Sequence, residues 1–227
     1  MLTHGNLDFV VASWLADLTP MTSESVTLHV APLTHGAGFH ALAAVARGAH
    51  QIISDPGRFE PGAVLELMRT AGVTNTWMVP TQIVMLMDHL CGSDPELPAL
   101  THLLYGGAPF AQGDLEQAVA CFGARLVQLY AQGESPMTVS SMFGSEHVAA
   151  LRNDRGQLAS VGHIRPGMHV EILGPDDEIL PPETLGEIAV RGPAVMQGYW
   201  RRPDATEAAL RGGWLHTGDM FVSTPVG

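Results

Sequence analysis

From Val26 to Tyr130 the chain repeats one pattern: a short apolar run, a break at Gly, Pro or Asp, then a stretch with helical spacing. Such alternation predicts a parallel sheet with flanking helices, because parallel strands need long crossovers and are covered on both faces. The runs 26–30, 50–53, 73–79, 101–105 and 125–130 are short enough for buried strands. Between them, one helix opens at Pro61, carries Val64, Leu65, Leu67 and Met68 on its apolar face, and closes at Gly72, which suits a left-handed cap. A second follows Pro80, with the methionines of Val84-Met85-Leu86-Met87 read as core, and a third covers 112–122 before Gly123. Near residue 160 the texture changes to short runs, 168–173 and 187–191, around the turn cluster Gly174-Pro175-Asp176-Asp177, with helical pattern only at 204–210. The fold class read from this is α/β: residues 1–157 form a parallel-sheet unit and 158–227 a smaller β-rich subdomain.

Charge and composition narrow the chemistry. Of the 227 residues, 11 are basic and 23 acidic, for a net charge of −12, and every basic residue is arginine. Without lysine, this chain holds neither a Walker-type phosphate loop nor a Schiff-base nucleophile. Without a cationic cluster, nucleic acid is excluded as a partner. No apolar run approaches the roughly 20 residues that cross a bilayer, and Met1 to Asp8 carry no basic residue ahead of a signal-like core. Two isolated cysteines, Cys91 and Cys121, fit a reducing compartment, so a cytoplasmic metabolic enzyme is expected.

Ligands of open parallel sheets sit beyond the carboxyl ends of the strands. The run 101–105 leads into Gly106-Gly107-Ala108-Pro109, where minimal side chains would let a flat ligand lie on the backbone. The run 125–130 leads into Ala131-Gln132-Gly133-Glu134, which sets the Tyr130 ring and the Glu134 carboxylate four residues apart. An aromatic ring stacks a base, and a carboxylate holds a hard cation; an ordinary Gly-rich turn with a surface Glu fits equally well. His35, in Pro32-Leu33-Thr34-His35-Gly36, could orient a substrate carboxylate or simply pack through a hydrogen bond. Gly36-Ala37-Gly38 falls short of a dinucleotide fingerprint, the histidines show no zinc spacing, and no Gly-x-Ser-x-Gly elbow exists. Asp219, after Thr217-Gly218, is an acid that could receive both hydroxyls of a ribose.

In this order and at these separations, the pieces resemble the AMP-forming acyl- and aryl-CoA synthetases of the adenylate-forming superfamily, relatives of luciferase and of amino-acid adenylation domains. Met1-Leu2-Thr3-His4-Gly5-Asn6 resembles the segment after that family's phosphate loop, Pro32 to Gly36 its histidine motif, and Gly106 to Pro109 its adenine-side loop. Tyr130 to Glu134 is similar to its Tyr-Gly-x-Thr-Glu motif, with Ala131 in place of Gly and Gly133 in place of Thr. The most specific match is Gly186-Glu187 through Gly198-Tyr199-Trp200, followed by Trp214 to Asp219.

The resemblance implies an ATP-dependent ligase that joins a carboxylic acid to coenzyme A through acyl-AMP. It implies that Tyr130 stacks on adenine beside Gly106, Gly107, Ala108 and Pro109, with Ala131, Gln132 and Gly133 completing the nucleotide site. Glu134 would bind Mg2+ and act with His35 in catalysis, and Asp219 would take the ribose hydroxyls. Phe39, Met137 and Val139 would line the acyl pocket. It further implies a phosphate loop ahead of Met1 and a C-terminal domain bearing a catalytic lysine beyond Gly227. On that reading the chain is a truncated large domain, weak or inactive alone, whose uncovered surface favours self-association. A non-catalytic nucleotide- or acyl-binding module and an adenylation domain of another adenylate-forming enzyme are the alternatives.

Overall fold

The computed structural model describes residues 1–54, 57 and 59–224. Helix α1 (His4–Ser13) starts at a capping box, in which Thr3 Oγ1 accepts the Asn6 N–H and Asn6 Oδ1 accepts the Thr3 N–H. The βα series then runs β1 (Val26–His29), α2 (Gly36–Arg47), β2 (His50–Ile53), α3 (Pro61–Thr70), β3 (Asn75–Met78), α4 (Pro80–Leu90), β4 (His102–Gly106), α5 (Gln112–Phe122) and β5 (Leu126–Gln132). Pro61 and Pro80 occupy first-turn positions, where the missing N–H costs no hydrogen bond, and Gly72 at φ +63° follows the end of α3. Val79 leaves β3 early because the Gln82 side chain accepts its N–H to open α4.

Strands β1 to β5 are parallel, and β6 (Ser135–Met142) and β7 (His163–Ile164) extend the sheet antiparallel, in the order β2-β1-β3-β4-β5-β6-β7. Helix α6 (Gly144–Asn153) links β6 to β7. A second, antiparallel sheet has the order β10-β9-β8, from β8 (His169–Leu173), β9 (Leu185–Arg191) and β10 (Leu215–Val222), with α7 (Pro203–Ala209) before β10. Successive strand residues face opposite layers. On β4, Leu103 and Tyr105 join the cluster under α3, α4 and α5, whereas Leu104 joins Trp14, Ala43 and Val190 in the layer that reaches the second sheet.

The mixed α/β architecture is as read from the sequence, with differences in detail. Strand β6 was not anticipated: it reads Ser-Pro-Met-Thr-Val-Ser-Ser-Met, yet all eight residues are buried. Three of its four hydroxyls are answered internally, with Thr138 Oγ1 donating to Pro136 O, Ser140 Oγ donating to Val161 O and Arg165 donating to Ser141 Oγ, while Ser135 Oγ has no partner among the described residues. Strand β7 lies past residue 158 yet pairs with β6, and the second sheet starts at His169. Residues 225–227, at the end of the expected β-rich unit, lie outside the described residues. Met85 and Met87 are half-buried at the margin; Ile83, Leu86 and Leu90 carry the core face of α4.

Candidate functional site

Two neighbouring cavities open where β4 and β5 end. The larger, of about 570 Å3, is lined by Gly106 to Pro109, Tyr130 to Gln132, Asp219 and Phe221. Tyr130 leaves β5 with its ring 5.5 Å from that of Phe221, and its hydroxyl donates to Asp219 Oδ2 at 2.7 Å. Gln132 Nε2 donates to the same oxygen at 3.0 Å and to Thr217 O at 2.7 Å. Burial and the adjoining Asp219 carboxylate push the Tyr130 phenol well above its ordinary range, so it stays a donor at neutral pH. Thus two residues of the first sheet meet one carboxylate of the second.

The turn that presents Asp219 is built by Glu187 on β9. Glu187 Oε1 accepts the Gly218 N–H at 2.8 Å and Oε2 meets His216 Nδ1 at 2.8 Å. Thr217 Oγ1 donates to Ile188 O and accepts the Asp219 N–H. Gly218 sits at φ +75°, a conformation that favours glycine, within the irregular pairing between His216 and Met220. Burial alone would raise the Glu187 pKa, but the hydrogen bonds from His216 and the Gly218 N–H, with Arg211 nearby, hold it below the ordinary 4.5. A depressed folded-state pKa means that the stabilisation is complete above that ordinary value and is lost as the pH falls through the folded-state value. Glu187→Gln is therefore expected to weaken AMP binding about tenfold at pH 7, equivalent to about 1.4 kcal/mol. AMP titrations from pH 7 down to 4 should show the wild type converging on the variant below about pH 4.5; an affinity gap that does not change with pH refutes this role.

The smaller cavity, of about 400 Å3, is lined by His35, Gly36, Phe39, Trp77, Gly133, Pro136 and Met137, and shares Gly106, Gly107, Leu129, Ala131 and Gln132 with the first. His35 stands at the N-cap of α2, exposed, with no side-chain capping bond.

Not every residue expected here lies at a cavity wall. Gly133 lines the smaller cavity and not the larger one. Val139 lines neither; it is 2% exposed within the packed layer. Glu134 also lines neither. Its carboxylate accepts the Tyr199 hydroxyl at 2.6 Å, and its carbonyl accepts the Met196 N–H. The same corner draws in the N-terminal segment: Asn6 Nδ2 donates to Pro193 O and Val195 O, and the Gln197 N–H donates to Met1 O. Sequence reasoning missed Trp77, Tyr199, Phe221 and Glu187 as individual contributors. The signal available for Tyr199 and Glu187 was the Gly186 to Trp200 run in which both sit.

Comparison with known proteins places the chain in a family. The AMP-binding enzyme family profile matches residues 1–200. A feruloyl-CoA synthase from Amycolatopsis is 36% identical over 97% of this chain and 43% of its own length. The amide bond synthetase McbA from Marinactinospora thermotolerans superposes on the whole chain with a TM-score of 0.90 at 28% identity. The o-succinylbenzoate-CoA synthetase MenE from Bacillus subtilis, in complex with AMP, does so with 0.85 at 27%. The chain spans 44% of each of those two structures, less than half the length of these three relatives.

Proposed function

The chain belongs to the AMP-binding enzyme family, and on that premise we propose that it carries the base, ribose and acyl surfaces of an AMP-forming acid:CoA ligase acting in the cytoplasm on a small carboxylic acid. The observation that carries this reading is the Tyr130–Asp219 hydrogen bond at the wall of a cavity that adjoins the one holding His35. Tyr130 and Gly106 to Pro109 take the adenine, Asp219 takes the ribose hydroxyls, and His35 stands at the junction, where the α-phosphate and the substrate carboxylate meet. In the first step a carboxylate oxygen forms a bond to the α-phosphorus of ATP as the bond to pyrophosphate breaks. In the second, the sulfur of coenzyme A bonds to the acyl carbon and AMP leaves with the electron pair. Positioning is this chain's main contribution to both.

Among the described residues no group of three or more His, Cys, Asp or Glu could hold a metal. Glu134, whose carboxylate accepts the Tyr199 hydroxyl beside the cavities, is the residue that would hold Mg2+, since a magnesium ion needs only one or two carboxylates when phosphate oxygens and waters complete its shell. The ion would neutralise charge on the phosphates during transfer. Cations are otherwise scarce: the chain has no lysine, and among the described residues no arginine lines either cavity. AMP is therefore expected to bind this chain, whereas adenylation by it alone is weak.

Two assays on the intact chain test the reading. AMP at 100 times its dissociation constant should stabilise the fold by about 2.7 kcal/mol, which raises the Tm by roughly 5–10 °C. ATP–pyrophosphate exchange with Mg2+ and a panel of acids should be detectable above background but slow. An unmoved Tm at millimolar AMP refutes the nucleotide site; AMP binding with no exchange for any acid leaves a binding module.

A further inference from the structure

We propose that Trp77 sets the floor of the acyl cavity and restricts the acid to a flat aromatic or aryl-alkenoic one, excluding long alkyl chains; this rests on the ligase reading above. Trp77 is on β3, 3% exposed, and lines the smaller cavity. Two glycines make room for its ring. A Cβ on Gly36 would lie 3.0 Å from two atoms of the ring's six-membered edge, and one on Gly107 would lie 3.8 Å from the same atoms. The indole N–H has no hydrogen-bond partner, so close packing alone fixes the ring. Trp77 belongs to one packed layer with Trp14, Ala37 and Leu104, each of them fully buried, so the floor has solid core around it.

The remaining walls are also rigid. Phe39 offers a second ring at the same cavity. Met137 is held at φ +63°, a left-handed conformation that is costly for a non-glycine residue and persists only where the surroundings enforce it. At about 400 Å3 the space sits near the low end of the roughly 300–1,000 Å3 of ligand pockets. A planar acid stacks between such walls with little entropy to lose, because aromatic pairs gain energy in offset or edge contact. A long alkyl chain would need a path beyond the indole.

The test is calorimetric binding of non-hydrolysable acyl-sulfamoyl adenosines to the intact chain, with AMP as the reference ligand. The cinnamoyl compound is expected to bind at least tenfold more tightly than the decanoyl compound. Trp77→Ala should reverse that order, with each affinity taken as a ratio to AMP. Trp77→Phe, which keeps a ring and the fold should the alanine variant fail, should narrow the gap to about threefold. AMP binding without discrimination between the two acyl groups in the wild type, or with an unchanged preference in both variants, overturns the role of Trp77 alone. Failure of AMP itself to bind overturns the ligase reading, and this inference with it.

Discussion

Asp219→Ala is expected to weaken AMP binding about 100-fold while the chain stays folded. Among the described residues the carboxylate is the only acidic group lining the larger cavity, and it meets Tyr130 and Gln132 through one oxygen, Oδ2. A hydrogen bond to a charged acceptor contributes about 1.5–3 kcal/mol, so two ribose hydroxyls deprived of it lose about 3 kcal/mol, or two decades of affinity. Asp219→Asn keeps the shape and an acceptor oxygen but removes the charge; its loss should be near tenfold. The fold should tolerate both changes, because Tyr130 and Asp219 are only half-buried and water can reach what is left unpaired. Loss of the shared acceptor costs roughly 1 kcal/mol, a Tm shift of about 2–4 °C. Titration calorimetry and a melting curve on the same samples separate the two effects. If Asp219→Ala binds AMP like the wild type, the ribose lies elsewhere.

That bond also shows what the sequence could and could not convey. Tyr130 and Asp219 were each legible as candidates from their place after an apolar run or in a Thr-Gly-Asp turn. Their contact spans 89 residues and joins two sheets, which no local pattern encodes. The parallel strands were legible because both faces are covered and the apolar runs are continuous. Strand β6 was not, since its serines and threonine are buried, and Thr138, Ser140 and Ser141 are satisfied by the backbone and by Arg165. Val139 was grouped with Met137 because both are apolar and follow Glu134. The pairing of β5 with β6 advances from Tyr130 to Gln132 on one strand while the other runs from Ser140 to Ser135. The surplus residues bulge and Met137 takes a positive φ, so that Met137 reaches the smaller cavity while Val139 stays in the packed layer that both share.

Gly106 was read as a glycine because a ligand lies on it, but the geometry supplies a stronger reason. A Cβ there would sit 2.4 Å from the carbonyl oxygen of Leu129, its register partner on β5, far inside the distance that real Cβ atoms keep. That oxygen is backbone in a buried parallel pair, so relief requires β4 and β5 to part. Gly106→Ala is therefore expected to cost more than about 4 kcal/mol, a large share of a typical 5–15 kcal/mol, and to lower the Tm by at least roughly 8–16 °C with or without nucleotide. Gly107→Ala meets only the Trp77 ring at 3.8 Å but must hold φ +79°, so about 1–2 kcal/mol is expected. Gly133→Ala faces open space with no positive φ and should be neutral or slightly stabilising. Melting curves of the three variants should rank in that order. A Gly106→Ala chain that melts like wild type but fails to bind AMP would instead make close approach of the ligand the reason for the glycine.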